Sequence, residues 1–467
     1  MSMEIPYETP GVETGIAFAD APVASATAGA SLAERIDPYW ASVWATGSQA
    51  SWLSADQARR QVASGLGRLP NHLDVDEAPA LEATLAPRNW GKRLNALSVL
   101  DSWRTVTGEQ MAAITGDAEL ATGKSDTMSN LFGAGVADVG IFTNGLYNTR
   151  DTARATLYRP SRSTAFAQDI EPHLTYPEWV SVTGGHGWES GSQFDRHNLL
   201  ATELGLRVAE MCEIGAVVGE KLSTWDLLAH TGAGFPAASG VKRAADATLI
   251  RTDGARVAVE ITATSGPNFD GKVRRWAELL SNRRMADTGL VVMFVLAPQP
   301  DKRVRPGEML TMVRKNIAAA TRDYPGVSFD RVASRMFVAN WQDWFPAPHR
   351  VDPSFFSLDA WRATGPADDL WERASVLDPF DTPFEPSDVP AAEAVLNNIA
   401  AIRSVPSWLR SGSPRELWPS AVKALGYSGI PVPAPSDSEG ASKRPLGAAV
   451  GSASAAQPPI RLRARAA

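Results

Sequence analysis

Asp246-Ala-Thr-Leu-Ile-Arg-Thr-Asp-Gly-Ala-Arg-Val-Ala-Val-Glu260-Ile-Thr262 is the stretch whose reading decides the fold. Ala247 to Arg251 and Arg256 to Thr262 are rich in β-forming residues, and Asp253-Gly254 between them is the dipeptide that favours a tight hairpin. The pairing predicts that Asp246 and Glu260 face each other across two antiparallel strands. Val257 and Val259 alternate with Ala258 and Glu260, so the glutamate lies on the opposite side of the pleat from the valines. Two carboxylates delivered to one place are the raw material of a divalent-metal site. The plainer alternative is an ordinary hairpin with acidic residues at its solvated ends.

The flanks add a pattern. After Ser265-Gly266-Pro267-Asn268 breaks the second strand, Lys272, Val273, Trp276, Leu279 and Leu280 recur at helical spacing. Gly289 to Ala297 is a continuous apolar run suited to a central strand covered on both faces. Upstream, His197 to Glu210 reads as a helix with Leu199, Leu200, Leu204 and Val208 on one face and Glu203 near its middle. The predicted order is helix, strand, strand, helix, strand.

On these residues the chain resembles the PD-(D/E)XK nuclease fold, and more narrowly the replication-relaxation family of actinobacterial plasmids and integrated elements. The resemblance covers roughly residues 90 to 340 and rests on short motifs. It implies that Glu203, Asp246, Glu260 and Lys272 are the catalytic set, with Trp276 the aromatic of the following helix. Asp246 and Glu260 would be ligands to Mg²⁺, a hard cation that takes oxygen donors. One position departs from the signature. Two residues beyond the second acid the fold calls for lysine, whose charge helps orient or activate the attacking water, and Thr262 stands there. Lys272, at the start of the next helix, is the expected replacement. Whether the domain cuts DNA or only binds it stays open at this level.

A second unit precedes it. Lys92 to Trp103 carries Leu94, Leu97, Val99 and Leu100 in helical register, and Thr107-Gly-Glu-Gln110 reads as a capping box opening a helix through Ile114. A third helix begins near Ser125, with Met128, Leu131 and Phe132 on one face. Ile141 to Leu146 and Ala155 to Tyr158 read as strands around the polar turn Asn148-Thr-Arg-Asp151. This looks like a winged helix, and the replication-relaxation proteins carry one in this place. The second helix of such a motif enters the major groove. Lys124, Ser125, Thr127, Ser129 and Asn130 are then the expected DNA-facing residues, with Arg150, Arg154, Arg159 and Arg162 near the wing. A three-helix connector or a protein-docking module is the competing reading.

The fold class expected is α/β (α+β): a winged-helix domain followed by a mixed-sheet nuclease-like domain. The boundaries expected are a mobile arm at 1–35, a helical lead-in at 36–90, the winged helix at 91–165 and the nuclease-like domain at 166–345. A Trp/Pro-rich extension follows at 346–428, then a disordered, basic-ended tail at 429–467. In the extension Asp359 to Trp371 and Ala391 to Arg403 read as helices, while Met336 to Ala339 is strand-like.

Composition limits the partners. The 467 residues carry a formal charge of -7, so the chain is not a globally basic nucleic-acid protein. Local clusters differ: Lys272, Arg274, Arg275, Arg283 and Arg284 crowd one helix and its end, followed by Lys302, Arg303, Arg305, Arg314 and Lys315. Such clusters bind phosphates, or simply form a solvated helix face. The single cysteine, Cys212, falls in an apolar pattern and leaves no internal disulfide. No phosphate-binding glycine loop and no Gly-x-Ser-x-Gly elbow occur. With neither signal peptide nor membrane-spanning run, a cytoplasmic protein is expected. The expected function is a DNA-binding replication or mobilisation factor acting on double-stranded DNA, with replication or conjugation proteins as further partners. The alternatives are a Mg²⁺-dependent endonuclease using Asp246 and Glu260, and a protein-docking regulator.

Overall fold

The computed structural model describes residues 15–23, 29–40, 49–143, 156–185, 187–191, 194–223, 245–264, 266–298, 306–364 and 370–411. The wing turn with Arg150 and Arg154, the cations Lys302, Arg303 and Arg305, and the tail from 429 onward lie outside the described residues. The chain is a mixed α/β protein with two principal sheets.

Strand β1 (Gln49–Leu53), helix α1 (Ala55–Ala63) and helix α2 (Glu77–Leu85) lead into α3 (Trp90–Trp103), β2 (Val106–Thr107), α4 (Gly108–Thr115), α5 (Asp126–Gly133), β3 (Ala137–Thr143) and β4 (Leu157–Pro160). The four strands form an antiparallel sheet in the order β1-β3-β4-β2. The expected capping box is present: Thr107 Oγ1 accepts from the Gln110 backbone N–H, and the Gln110 side chain accepts from the Thr107 N–H. Helix α2 lies across α5. A Cβ added at Gly133 of α5 would stand 2.7 Å from Ala80 Cβ of α2, so glycine is what lets the two helices approach.

The larger unit holds α6 (Tyr176–Thr183), α7 (Asp195–Met211), β5 (Ala216–Gly219), β6 (Ala247–Ile250), β7 (Arg256–Thr262), α8 (Pro267–Asn282), β8 (Leu290–Leu296), α9 (Pro306–Asp323), β9 (Met336–Asn340), β10 (Asp359–Ala363), β11 (Trp371–Ser375) and α10 (Val389–Ala400). Its seven strands follow chain order across the sheet, from β5 at one edge to β11 at the other. The three central strands, β7, β8 and β9, run parallel through the crossover helices α8 and α9, and the flanking pairs are antiparallel.

Period-two alternation sorts the central side chains between two cores. Val257, Val259 and Ile261 of β7 join the larger core, which includes Leu200 and Leu204 of α7. Ala258 faces the other side, with Val273, Trp276 and Leu280 of α8 and Phe294 of β8. All seven residues of β7 are buried, so the hairpin is no solvated ribbon: helices cover both of its faces.

Two expectations about the periphery are corrected. Residues 15–23 and 29–35 are not a mobile arm. Ile16 and Ala17 pair with Arg350 and Val351, and the Phe18 and Arg35 side chains are buried. A few single anchors, carrying no periodicity, hold this segment in place. In the extension, the described residues of the expected helix Asp359 to Trp371 are strand instead: Asp359–Ala363 is β10 and Trp371 opens β11, an antiparallel pair with Ala363 opposite Trp371, and these two strands widen the central sheet. Antiparallel pairing, with Phe337 of β9 opposite Arg362 and Trp361 opposite Arg373 of β11, outweighs the helix-forming alanines. Among the described residues, no helix is long and apolar enough to cross a membrane.

Candidate functional site

The register Ala247↔Val259 brings Asp246, just before β6, beside Glu260 of β7. Asp246 is tied down twice: its N–H donates to Val259 O at 2.9 Å, and its Oδ2 accepts from the Ile261 N–H at 2.6 Å. Glu260 is 1% exposed. Both of its carboxylate oxygens are taken by one face of α8, because Lys272 and Trp276 are four residues apart and share that face. Lys272 Nζ donates to Oε2 at 2.6 Å and Trp276 Nε1 donates to Oε1 at 2.7 Å. Burial pushes the Glu260 carboxyl up to about 7, against the pull of Lys272, and the nearby Asp246 charge adds to the rise. For Lys272 burial works downward, but the Glu260 and Asp246 carboxylates outweigh it and hold the ammonium above its ordinary range.

The cation beside Glu260 thus comes from Lys272 of α8 and not from position 262. Thr262 is buried, its hydroxyl donating to the Glu260 backbone oxygen at 3.3 Å, and Lys272 reaches the carboxylate from the neighbouring helix. Asp246, Glu260, Lys272 and Trp276, read from sequence as one set, do meet.

Glu203 does not join them. It lies in a separate buried network, accepting from Arg35 at 3.2 Å, Arg207 at 3.1 Å and Gln110 Nε2 at 3.2 Å. Burial would raise its carboxyl, but Arg35 and then Arg207 outweigh it and hold the group below its ordinary value. From α7 it is instead His197, in the first turn, that faces the Asp246 and Lys272 charges. Burial lowers the imidazole from its ordinary value, opposed by the Asp246 carboxylate. Helical geometry carried that signal: at about 100° per residue, positions 197 and 203 point some 120° apart, so they do not share a face.

These donors do not fit a Mg²⁺ ion as the side chains stand. A hard cation needs carboxylate oxygens free of competing positive charge. Here an ammonium sits on one oxygen of Glu260 and an indole N–H on the other. The third acid expected is committed elsewhere, and among the described residues no group of three His, Cys, Asp or Glu is arranged to hold a metal.

The expected DNA-facing residues separate into two sets. In the smaller unit Ser125, Thr127 and Ser129 are buried, and α2 packs on α5 where Gly133 meets Ala80. Lys124 is exposed and Asn130 half-buried. Arg159 is largely buried, paired with Asp138 at 3.0 Å and stacked over the Trp52 ring, while Arg162 is exposed. In the larger unit Arg274, Arg275 and Arg284 are exposed and Arg283 is half-buried. Arg274 pairs with Asp323 at 2.7 Å and Arg284 with Asp287 at 2.8 Å. Both are solvent-exposed pairs, which hold weakly and exchange partners at little cost. No protein-family model, curated protein or solved structure matches this chain.

Proposed function

We propose that this chain is a DNA-binding replication or mobilisation factor of a plasmid or integrative element, in which a PD-(D/E)XK-like domain grips duplex DNA without a competent metal site. Two orders of elements support the reading. The order α3-β2-α4-α5-β3-β4, with β4 between β2 and β3, is in keeping with a winged-helix reading, to which β1 adds a fourth strand. The order α7, β5 to β7, α8, β8, with Asp246 and Glu260 meeting beside the hairpin, is in keeping with a nuclease-like reading.

The observation that carries the DNA-binding reading is the outer face of α8. Val273, Trp276, Ala277 and Leu280 fix the inner face in the core, and this presents Arg274 and Arg275 to solvent, with Arg283 and Arg284 at the helix end. Arginines held on a rigid helix suit a phosphate backbone. With Ser125, Thr127 and Ser129 buried, the smaller unit would add Lys124 and the wing rather than a helix in the major groove. Replacing Arg274, Arg275, Arg283 and Arg284 together by Ala is expected to weaken duplex binding in a gel-shift titration. The salt dependence should flatten by about 0.9 in slope for each phosphate that is no longer neutralised. Unchanged affinity and slope would remove this face from the interface.

A second reading, a Mg²⁺-dependent endonuclease, is favoured by one observation: Lys272 reaches Glu260 from a neighbouring element, where it would stand in for the lysine absent at Thr262. It requires Lys272 to leave Glu260. Incubating supercoiled plasmid with the protein in Mg²⁺, Mn²⁺ or EDTA, beside Glu260→Ala, separates the readings. Metal-dependent nicking that disappears in the variant establishes the endonuclease, whereas a shifted but uncut plasmid supports the first reading.

A further inference from the structure

We propose that the Lys272 ammonium is the protein's built-in replacement for a divalent cation at the Asp246–Glu260 pair, and that removing it converts the pair into a cation site. The inference concerns the chain alone and is read without DNA, so its failure is distinct from that of the DNA-binding reading.

Electrostatics carries the argument. A carboxylate buried as deeply as Glu260, at 1% exposure, needs a compensating charge close by. In metal-dependent sites the ion supplies that charge; here Lys272 Nζ does, at 2.6 Å from Oε2. Lys272 is also the outermost member of the group, its side chain 38% exposed against 1% for Glu260, so it stands between the carboxylate and solvent. Trp276 on the same helix face holds Oε1 from the inner side at 2.7 Å and fixes the register of α8, which keeps the lysine on its target. With Asp246 pinned beside it by the Ile261 N–H, the two carboxylates are preorganised with or without Lys272. Cutting the side chain back to alanine opens a short path from solvent and frees Glu260 Oε2 beside Asp246, while Trp276 and the Ile261 N–H still hold the other two oxygens in place; two carboxylates completed by water are a known way to hold a hard divalent cation.

The test is thermal unfolding and Mn²⁺ paramagnetic resonance on the full chain, with EDTA as reference. For the parent protein, 1 mM Mn²⁺ is expected to leave the melting temperature unchanged and the free-Mn²⁺ signal undiminished. Lys272→Ala is expected to melt lower than the parent in EDTA, to regain several degrees in Mn²⁺ through mass action, and to bind Mn²⁺ at least tenfold more tightly than the parent. The gain should vanish in the Lys272→Ala/Glu260→Gln double variant. A parent protein that binds Mn²⁺ and loses it on Glu260→Gln would overturn the proposal, because lysine and cation would then coexist. A folded Lys272→Ala protein indifferent to Mn²⁺ would overturn it as well. Should Lys272→Ala not fold, the parent and Glu260→Gln decide the matter: equal free-Mn²⁺ signals support the proposal, and a bound fraction confined to the parent refutes it.

Discussion

Two buried carboxylates, Glu203 and Glu260, are each 1% exposed, yet they behave in opposite ways. Glu203 sits among Arg35, Arg207 and Gln110, with Asp37 and Glu210 completing the network, and its carboxyl is held below its ordinary value. Glu260 has one ammonium and one indole N–H, a second carboxylate beside it, and is pushed up to about 7. The difference lies in the kind of cation. Guanidinium forks are planar and bidentate, and Arg35 grips Glu210 through two bonds of 2.6 and 2.7 Å. An ammonium is a point charge on a flexible stem, and this one is partly in solvent. The first cluster is closed and structural: it ties the N-terminal segment to α7, and Arg207 also stacks on Phe18 and Phe345, with centroid distances of 4.7 and 4.3 Å. The second faces outward, holding its charge less completely.

The largest expected effect tests the closed cluster. Arg207→Met keeps most of the side-chain volume but strips Asp37 and Glu203 of a guanidinium that donates to both. Removing one member of a buried ion network costs about 3–5 kcal/mol, read as a lower urea midpoint with unchanged slope. Loss of less than about 1 kcal/mol would mean that the cluster rehydrates on opening, and the contrast with Glu260 would collapse.

How far these clusters were legible in the sequence follows from where their information sits. Asp246, Glu260, Lys272 and Trp276 were legible because hairpin register and helical spacing act over short separations: the turn at Asp253-Gly254 fixes which residues face one another, and four residues on a helix fix a common face. Leu290 to Leu296 was legible as a central strand because both of its faces are apolar. Glu203 was misplaced because its partner Arg35 lies 168 residues away, in a segment whose Ala- and Pro-rich surroundings carry no periodic signal. The packing of α2 on α5 was equally invisible, since the two meet through Gly133 and Ala80, small residues that give no sign of a packing partner. The strand pair β10–β11 was missed although Gly365-Pro366 stands inside the supposed helix, a breaker strong enough to have divided it.

The sharpest remaining test of the comparison is its dependence on pH, because the two carboxylates have opposite signs. Glu203, with a folded value below its ordinary 4.5, stabilises the fold at neutral pH and loses that contribution as the pH falls below 4.5. Glu260 rises to about 7 in the folded chain, so its ionisation costs stability above that pH, and the cost is recovered as the pH falls from about 7 toward 4.5. Stability is compared with that of Glu203→Gln and Glu260→Gln in turn, by urea unfolding from pH 8 to pH 4. Relative to Glu260→Gln the parent should gain stability between pH 7 and 4.5, the interval over which folded Glu260 takes up its proton. Relative to Glu203→Gln it should hold its advantage across that interval and lose it only at lower pH. Parallel curves for both variants would mean that Lys272 compensates Glu260 as fully as two guanidiniums compensate Glu203. Lys272 would then be a structural counter-ion like Arg35, and the outward-facing cluster would lose its distinction from the closed one.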